Sequence, residues 1–227
     1  MKTRAILFDL DGTIINSEEG ITKCVQYALR AFGIEEPDLT KLRVFIGPPL
    51  ELIYREKYGM SREDAWAATL KYRERFDVKG IFECSLYEGI ADCIAHLKEC
   101  GYVIALASSK PETACRRILE HFDLTKYFDE IVGSTLDGSI SSKEEVLEEL
   151  CRRMQSQYGG NDGISREEMC LIGDTKYDAA GAKAAGIHCV GVSYGFGTRE
   201  ELIDAGAEMV FDTVKEVRAY FEDNANI

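Results

Sequence analysis

Residues 5–13 read AILFDLDGT, an apolar run that ends in two carboxylates separated by one residue. The apolar run predicts a buried strand, and the alternation of side chains along a strand places Asp9 and Asp11 on the same side. Two like charges this close repel, and each disturbs the pKa of the other. Proteins keep such pairs mainly where a metal cation or a reaction needs them. The alternative is an Asx-type turn with two solvated aspartates, because Asp-Gly is a common turn dipeptide.

The order of elements along the chain predicts the fold class. Six short apolar runs are interpreted as strands, at residues 5–8, 102–107, 130–133, 169–172, 188–192 and 209–211. Helical patterns are found at residues 90–100, 112–121, 143–157, 176–185, 199–205 and 214–221. Strands that alternate with helices of this length are typical of a parallel sheet with helices on both faces. We therefore expect an α/β fold with a Rossmann-like parallel sheet, which binds its ligands at the carboxyl ends of the strands.

Residues 17–85 interrupt this alternation. They contain helical segments at 20–32, 50–58 and 62–76 and no clear strand. The pattern predicts a core domain of residues 1–16 and 86–227 and a helical cap domain of residues 17–85, inserted after the first strand. A cap inserted just after Asp9 and Asp11 would cover whatever binds there. The alternative is one more helical layer of the same domain, although the insertion is long for a simple crossover.

Composition narrows the classes of partner. The chain has 227 residues and a formal net charge of -13, which argues against nucleic acid or an anionic membrane as the main partner. A phosphorylated small molecule stays open, because a bound divalent cation and a few lysines reverse the local field. No segment approaches the roughly 18–20 apolar residues that span a bilayer, so no membrane partner is expected.

The cysteines and the N-terminal residues predict a cytoplasmic location. The chain has eight cysteines without a C-x-x-C pair and three histidines, which argues against a zinc framework. The two acidic residues at positions 9 and 11 cut the first apolar stretch short, so it does not resemble a signal peptide. Free thiols and no export signal are typical of cytoplasmic proteins. The sequence does not indicate an oligomeric state.

Polar residues that suit phosphate chemistry follow several predicted strands. Ser108 and Ser109 follow the second core strand, and Asp174 and Asp178 follow the fourth. Parallel strands bring these positions to one edge of the sheet. Each of these residues has an alternative, purely structural role. Either serine is suitable as the cap of the helix that follows it. Asp174 is likewise a possible N-cap, with Asp178 stabilised in the first turn by the helix dipole.

Lys143 is harder to explain by helix structure alone. The stretch from Ser142 to Glu145 matches a capping box, which places Lys143 at the first helical position. A cation at that position opposes the helix dipole. The placement hints at an anionic partner, and the alternative is an exposed, flexible lysine.

Taken together, these motifs resemble the haloacid dehalogenase-like hydrolase superfamily, in its phosphatase branch with a helical cap. The resemblance rests on the DLDGT stretch at 9–13, Ser108, Lys143, and the Gly-Asp pair at 173–174 with Asp178, all in the order of that family. It covers nearly the whole chain. Within the branch, the chain is most similar to the phosphoglycolate phosphatase and 5'-nucleotidase-like group, through GITK at 20–23 and FIGPPL at 45–50.

The resemblance implies a small phosphorylated metabolite as the substrate and a role for each motif residue. Asp9 is expected to be the nucleophile that forms an aspartyl-phosphate. Asp11 is expected to protonate the leaving alkoxide and then to activate water. Ser108 and Lys143 are expected to bind the phosphoryl oxygens.

The resemblance also implies a magnesium ion. Its expected protein ligands are a carboxylate oxygen of Asp9, the backbone carbonyl of Asp11 and the carboxylate of Asp174, an oxygen-only set that Mg²⁺ prefers. Asp178 is expected to act through a metal-bound water or a hydrogen bond to a ligand.

Four further residues are predicted to contact substrate: Ser109 through its backbone amide, and Lys23, Arg43 and Gly47 in the cap. Lys23 or Arg43 would suit a second anionic group on the substrate. The alternative for both is a solvated surface charge.

Two other functions stay open at this stage. A sugar-phosphate phosphomutase uses the same motifs and differs in how long its aspartyl-phosphate survives. A non-catalytic binding module commonly loses a carboxylate or the lysine, whereas this chain keeps all of them.

Overall fold

Six strands pair in parallel to form one sheet within residues 2–158 and 163–224, the part of the chain that the computed structural model describes. The strands are β1 (Ala5–Phe8), β2 (Ile15–Asn16), β3 (Ser85–Leu86), β4 (Val103–Pro111), β5 (Glu130–Ser134), β6 (Met169–Gly173), β7 (His188–Val192) and β8 (Met209–Phe211). The order in the main sheet is β5-β4-β1-β6-β7-β8, while β2 and β3 pair with each other. The predicted α/β fold with a parallel sheet is confirmed.

The α-helices of the described residues connect these strands. They are α1 (Glu18–Ala31), α2 (Leu50–Tyr58), α3 (Arg62–Phe76), α4 (Ile90–Glu99), α5 (Glu112–His121), α6 (Lys143–Tyr158), α7 (Lys176–Ala185), α8 (Arg199–Ala205) and α9 (Val214–Asn224). The chain divides into two compact units, Met1–Ile15 with Leu86–Ile227 and Asn16–Ser85. Helices α4 to α9 belong to the first unit, and α1 to α3 belong to the second.

The sheet of the first unit is buried on both faces. Ala5 and Leu7 pack in a core with residues of α6 and α7, among them Leu150 and Ala182. The other residues of β1 point to the opposite face and are also fully buried. Apolar side chains on both faces require helices on both faces, which is why this strand reads as a continuous apolar run.

The register of the central strands determines where the polar strand ends meet. Phe8 of β1 lies beside Leu106 of β4 on one side and Ile172 of β6 on the other. Residues that follow these three positions therefore lie at one edge of the sheet. The strand predicted at 102–107 is longer than expected, because β4 continues to Pro111 and pairs there with Ser134 after a shift in register.

The second unit is helical, with α2 and α3 at their predicted bounds and α1 starting two residues before the predicted 20–32. Two 3₁₀ helices, Leu39–Phe45 and Gly80–Phe82, were not predicted. Ser85 lies in a two-residue strand, where no strand was expected. In the described ranges of the chain, no helix combines the length and apolar character needed to cross a membrane.

Candidate active site

Lys143 and Asp9 form a buried ion pair at the carboxyl edge of the sheet. The ammonium of Lys143 lies 2.6 Å from Oδ1 of Asp9 and 2.8 Å from Oδ1 of Asp178, and it donates to the carbonyl of Ala107 at 2.7 Å. Lys143 is the first residue of α6, as predicted, and Ser142 and Glu145 form the expected capping hydrogen bonds. Three oxygen partners explain why a lysine is stable where the helix dipole disfavours a cation.

Asp174 and Asp178 follow β6 and are both buried. One oxygen of Asp174, Oδ2, accepts the backbone N–H of Phe196 at 2.7 Å, and the other accepts the hydroxyl of Thr13 at 3.4 Å. Thr175, and not Asp174, is the N-cap of α7, with Asp178 as its capping-box partner. The N-cap interpretation of Asp174 is therefore wrong, and its buried carboxylate has no role in starting the helix.

The backbone of two glycines packs closely against the side chain of Asp174. Gly12 has a φ of +92°, a conformation that favours glycine, and a Cβ there would lie 2.0 Å from Oδ2 of Asp174. A Cβ at Gly195 would lie 2.4 Å from the Cβ of Asp174. The backbone at both positions approaches this carboxylate more closely than any side chain would allow.

The acidic residues form a cluster that fits a divalent cation. Asp9, Asp174 and Asp178 each offer a carboxylate oxygen, and these three atoms lie within 4.8 Å of one another. The site has more negative than positive groups. It contains four carboxylates, those of Asp9, Asp11, Asp174 and Asp178, and two ammonium groups, those of Lys110 and Lys143. An oxygen-only set with this excess of negative charge suits Mg²⁺. The cluster contains Asp178, for which the resemblance implied an indirect role.

The pKa values reflect this crowding. Burial raises the pKa of Asp9 to about 7, with Lys143 acting in the opposite sense and Asp178 adding repulsion. Burial and the Asp178 and Asp9 carboxylates hold the pKa of Asp174 well above its ordinary value. Burial alone would lower the pKa of Lys143, but its neighbours Asp178 and Asp9 raise it. The lysine therefore stays charged, while the carboxylates carry an unfavourable excess of negative charge that a cation would relieve.

Asp11 has a partner that the sequence analysis missed. The ammonium of Lys110 lies 2.6 Å from Oδ1 of Asp11, with both side chains almost buried. The side chain of Asp11 is thus outside the carboxylate cluster, and its predicted metal contact was through the backbone carbonyl. The only signal for Lys110 was its position two residues after Ser108, which by itself also fits a solvated lysine.

The serines at the end of β4 are not helix caps. Ser108 is buried, and its hydroxyl accepts the backbone N–H of Lys110 at 3.3 Å. The N-cap of α5 is Pro111. Ser109 is half-buried in the same segment of β4. The capping interpretation is therefore wrong for both serines, and the hydroxyl of Ser108 lies at the same edge as Asp9.

The three predicted substrate residues of the second unit have ordinary surroundings. Lys23 lies 2.5 Å from Glu19, and Arg43 lies 2.7 Å from Glu18, with both cations exposed by more than a third. Gly47 has a φ of +104°, which suits its turn. Their contact with substrate stays a prediction, as does the role of the second unit as a cap.

A family model for haloacid dehalogenase-like hydrolases matches residues 6–192 of the chain. The match includes every motif residue that carried the resemblance. This chain belongs to the haloacid dehalogenase-like hydrolase family. The family membership predicted from the sequence is confirmed.

Proteins that are similar to the chain have several names. A 5'-nucleotidase of Pseudomonas aeruginosa is 42% identical over 197 residues, which is 87% of this chain and 86% of that protein. The tyrosine-protein kinase PtkA of Mycobacterium tuberculosis is 34% identical over 94% of this chain and 70% of its own length. Phosphoglycolate phosphatase 1 of Pseudomonas aeruginosa is 28% identical over 99% of this chain and 82% of its own length.

A solved structure confirms the fold. The crystal structure of a predicted phosphatase from Clostridium acetobutylicum has a TM-score of 0.92 and 40% sequence identity, and the alignment covers 98% of this chain and 100% of that one.

Proposed function

We propose that this chain is a magnesium-dependent phosphatase that hydrolyses a small phosphate monoester through an aspartyl-phosphate. The observation that carries the proposal is the buried Asp9–Lys143 pair at 2.6 Å, beside the carboxylates of Asp174 and Asp178. The family and the phosphatase and nucleotidase names of similar proteins support this class of reaction. They favour a 5'-nucleotide or phosphoglycolate type of substrate.

In the first step, a carboxylate oxygen of Asp9 attacks phosphorus. The bond between phosphorus and the leaving oxygen breaks, and that oxygen takes a proton from Asp11. Lys143 holds Asp9 in place and offsets its charge, and the hydroxyl of Ser108 donates to a phosphoryl oxygen. Mg²⁺ bound by Asp9, Asp174 and the backbone carbonyl of Asp11 would supply positive charge to the phosphate.

In the second step, Asp11 takes a proton from a water molecule, which attacks the phosphorus of the aspartyl-phosphate. The bond between phosphorus and Asp9 breaks, so that inorganic phosphate leaves and the carboxylate is restored. A carboxylate that first gives and then takes a proton returns to its starting state after each turnover. Asp178 fixes Lys143 and orients the acidic cluster.

Phosphate release with Mg²⁺ tests the proposal, over a panel of nucleoside 5'-monophosphates, phosphoglycolate, sugar phosphates and pyrophosphate. We expect release by the wild type and none by Asp9→Asn, because an amide is a poor nucleophile. Asp212→Asn, a change of an exposed aspartate in the same unit, is the matched control and keeps the activity. Substantial release by Asp9→Asn would remove this residue from its proposed role.

Two outcomes would contradict hydrolysis itself. An isomerised sugar phosphate without free phosphate would favour the phosphomutase. Phosphoryl transfer from ATP to a protein tyrosine, with no release from any ester, would favour a kinase like the relative of that name.

The cytoplasmic location stays a prediction. It is supported by the eight cysteines, none of which forms a disulfide bond in the described residues, as suits a reducing compartment.

A further inference from the structure

Lys110 is a second lysine at the carboxyl edge of the sheet, with a nearly buried side chain, and the reaction steps above do not use it. Its ammonium lies 2.6 Å from Oδ1 of Asp11, and the two side chains are 7% and 11% exposed. Taking two charged groups out of water is costly, and their attraction repays this only with good geometry. A pair at this depth is weak evidence for stability, so a role in the chemistry of Asp11 is the better explanation.

An irregularity in β4 directs Lys110 toward Asp11. Ser108 pairs with Gly133 of β5, but the next pair is Pro111 with Ser134, so three steps along β4 correspond to one step along β5. Bulges of this kind occur next to active sites, where they change the direction of a side chain. The hydroxyl of Ser108 accepts the N–H of Lys110 at 3.3 Å, inside the bulge.

Neighbouring residues fix the backbone of this bulge. A Cβ on Gly133 would lie 2.5 Å from the carbonyl oxygen of Lys110, so only glycine allows this approach. The thiol of Cys115 donates to the same carbonyl oxygen at 3.5 Å. The carbonyl oxygen of Lys110 thus lies close to Gly133 and accepts a hydrogen bond from Cys115, while the ammonium of the same residue contacts Asp11.

We propose that Lys110 is a positioning residue for proton transfer by Asp11. Its ammonium holds Oδ1 of the carboxyl group, so that Oδ2 faces the leaving group and gives its proton to the leaving oxygen as the bond to phosphorus breaks. The same oxygen then takes a proton from the attacking water. This inference rests on the proposed function, and it assigns each carboxylate of the Asp9–Asp11 motif its own lysine.

The leaving group of the substrate separates this role from a general structural one. Alkyl phosphates release a basic alkoxide that needs a proton, whereas 4-nitrophenyl phosphate releases a weakly basic phenolate that does not. We expect Lys110→Met to lower kcat/KM for an alkyl phosphate by about 10- to 100-fold, which reaches only the lower end of the contribution of general acid catalysis because Asp11 itself is still present. The kcat/KM for 4-nitrophenyl phosphate should change little, because its leaving group needs no proton. Since both substrates share the phosphate group, a defect in phosphate binding would lower both values. Lys110→Arg keeps the charge and should restore part of the alkyl activity.

Three controls make the comparison decisive. Lys98→Met removes a partly buried ion pair with Asp129 in the same unit and should leave both kcat/KM values unchanged. Thermal unfolding of each variant shows that it is folded. Asp11→Asn should show the same selectivity for the aryl substrate, and adding Lys110→Met to it should cause no further change in that selectivity, because coupled residues are not additive.

Equal losses of kcat/KM for both substrates, or no loss for either, in folded Lys110→Met would overturn the inference. A further change in selectivity when Lys110→Met is added to Asp11→Asn would also overturn it. If Asp11→Asn itself lacks the aryl preference, the error lies in the proposed role of Asp11, and the inference fails with it. If the wild type releases no phosphate from either substrate, the proposed phosphatase activity itself is wrong.

Discussion

Two ion pairs at the carboxyl edge of the first unit's sheet differ from the ion pair of Lys23 in the second unit, both in burial and in how far apart the partners lie in the sequence. In the first unit, Lys143 and Asp9 are 134 residues apart and buried, and Lys110 and Asp11 are 99 residues apart and nearly buried. In the second unit, Lys23 pairs with a glutamate four residues away and stays exposed. The first kind of pair requires the whole fold to bring its members together, whereas the second requires one helix.

This difference shows which charges carry information about function. Exposed pairs contribute little to stability and are common on any surface. Buried carboxylates that outnumber their lysine partners are costly unless something else compensates them. The excess of negative charge around Asp9 and Asp174 is therefore the strongest indication of a cation and a reaction. The exposed cations Lys23 and Arg43 of the second unit give no comparable indication.

Removing a carboxylate from the acidic cluster should have the largest effect. We expect Asp174→Asn to abolish phosphate release and the rise in Tm that Mg²⁺ gives the wild type. A ligand at 100 times its Kd stabilises a protein by about 2.7 kcal/mol, which is readily measured by thermal unfolding with MgCl₂ and with EDTA.

The stability of Asp174→Asn measured without Mg²⁺ provides the control for this prediction. The raised pKa of Asp174 shows that burial and repulsion disfavour its charge, so Asp174→Asn without Mg²⁺ should be at least as stable as the wild type. A Mg²⁺-induced rise in Tm equal to that of the wild type would mean that Asp174 does not bind the ion.

A pair of glycines separates backbone strain from damage to the site. Gly12 and Gly101 have φ values of +92° and +91°, but a Cβ at Gly101 meets nothing within 4 Å, whereas one at Gly12 meets the Asp174 carboxylate. Both Gly→Ala changes should cost roughly 1–2 kcal/mol of backbone strain. We expect Gly12→Ala alone to lose phosphate release and Mg²⁺-induced stabilisation as well.

Denaturant unfolding and phosphate release by the two variants check this prediction. Full activity in Gly12→Ala would show that the Asp174 carboxylate can shift away from the new Cβ without loss of phosphate release. Loss of activity in folded Gly101→Ala would show that strain at any such turn is sufficient.

The sequence predicted the elements whose apolar pattern is local, and it failed where geometry depends on distant residues. The run at 188–192 is a strand that is buried after its first residue, and its bounds were predicted correctly. The motif residues of the resemblance meet at one edge because parallel strands require it.

The contact between Lys110 and Asp11 depends on a bulge that only the pairing of β4 with β5 creates, so no local pattern indicated it. The position of Thr175 as the helix cap was missed for a different reason, because Asp174 is at least as good a capping residue by type.

The smallest effect is expected from the exposed cations of the second unit. Lys23 and Arg43 each have an acidic partner in the same unit and remain solvated, so Lys23→Met and Arg43→Met should leave kcat and Tm nearly unchanged. Steady-state kinetics on two phosphate esters, one with a second anionic group and one without, check this expectation. A higher KM for the ester with the second anionic group alone would identify the mutated residue as a substrate contact. That result would show that an exposed charge in this unit does carry functional information, contrary to the contrast between the two units.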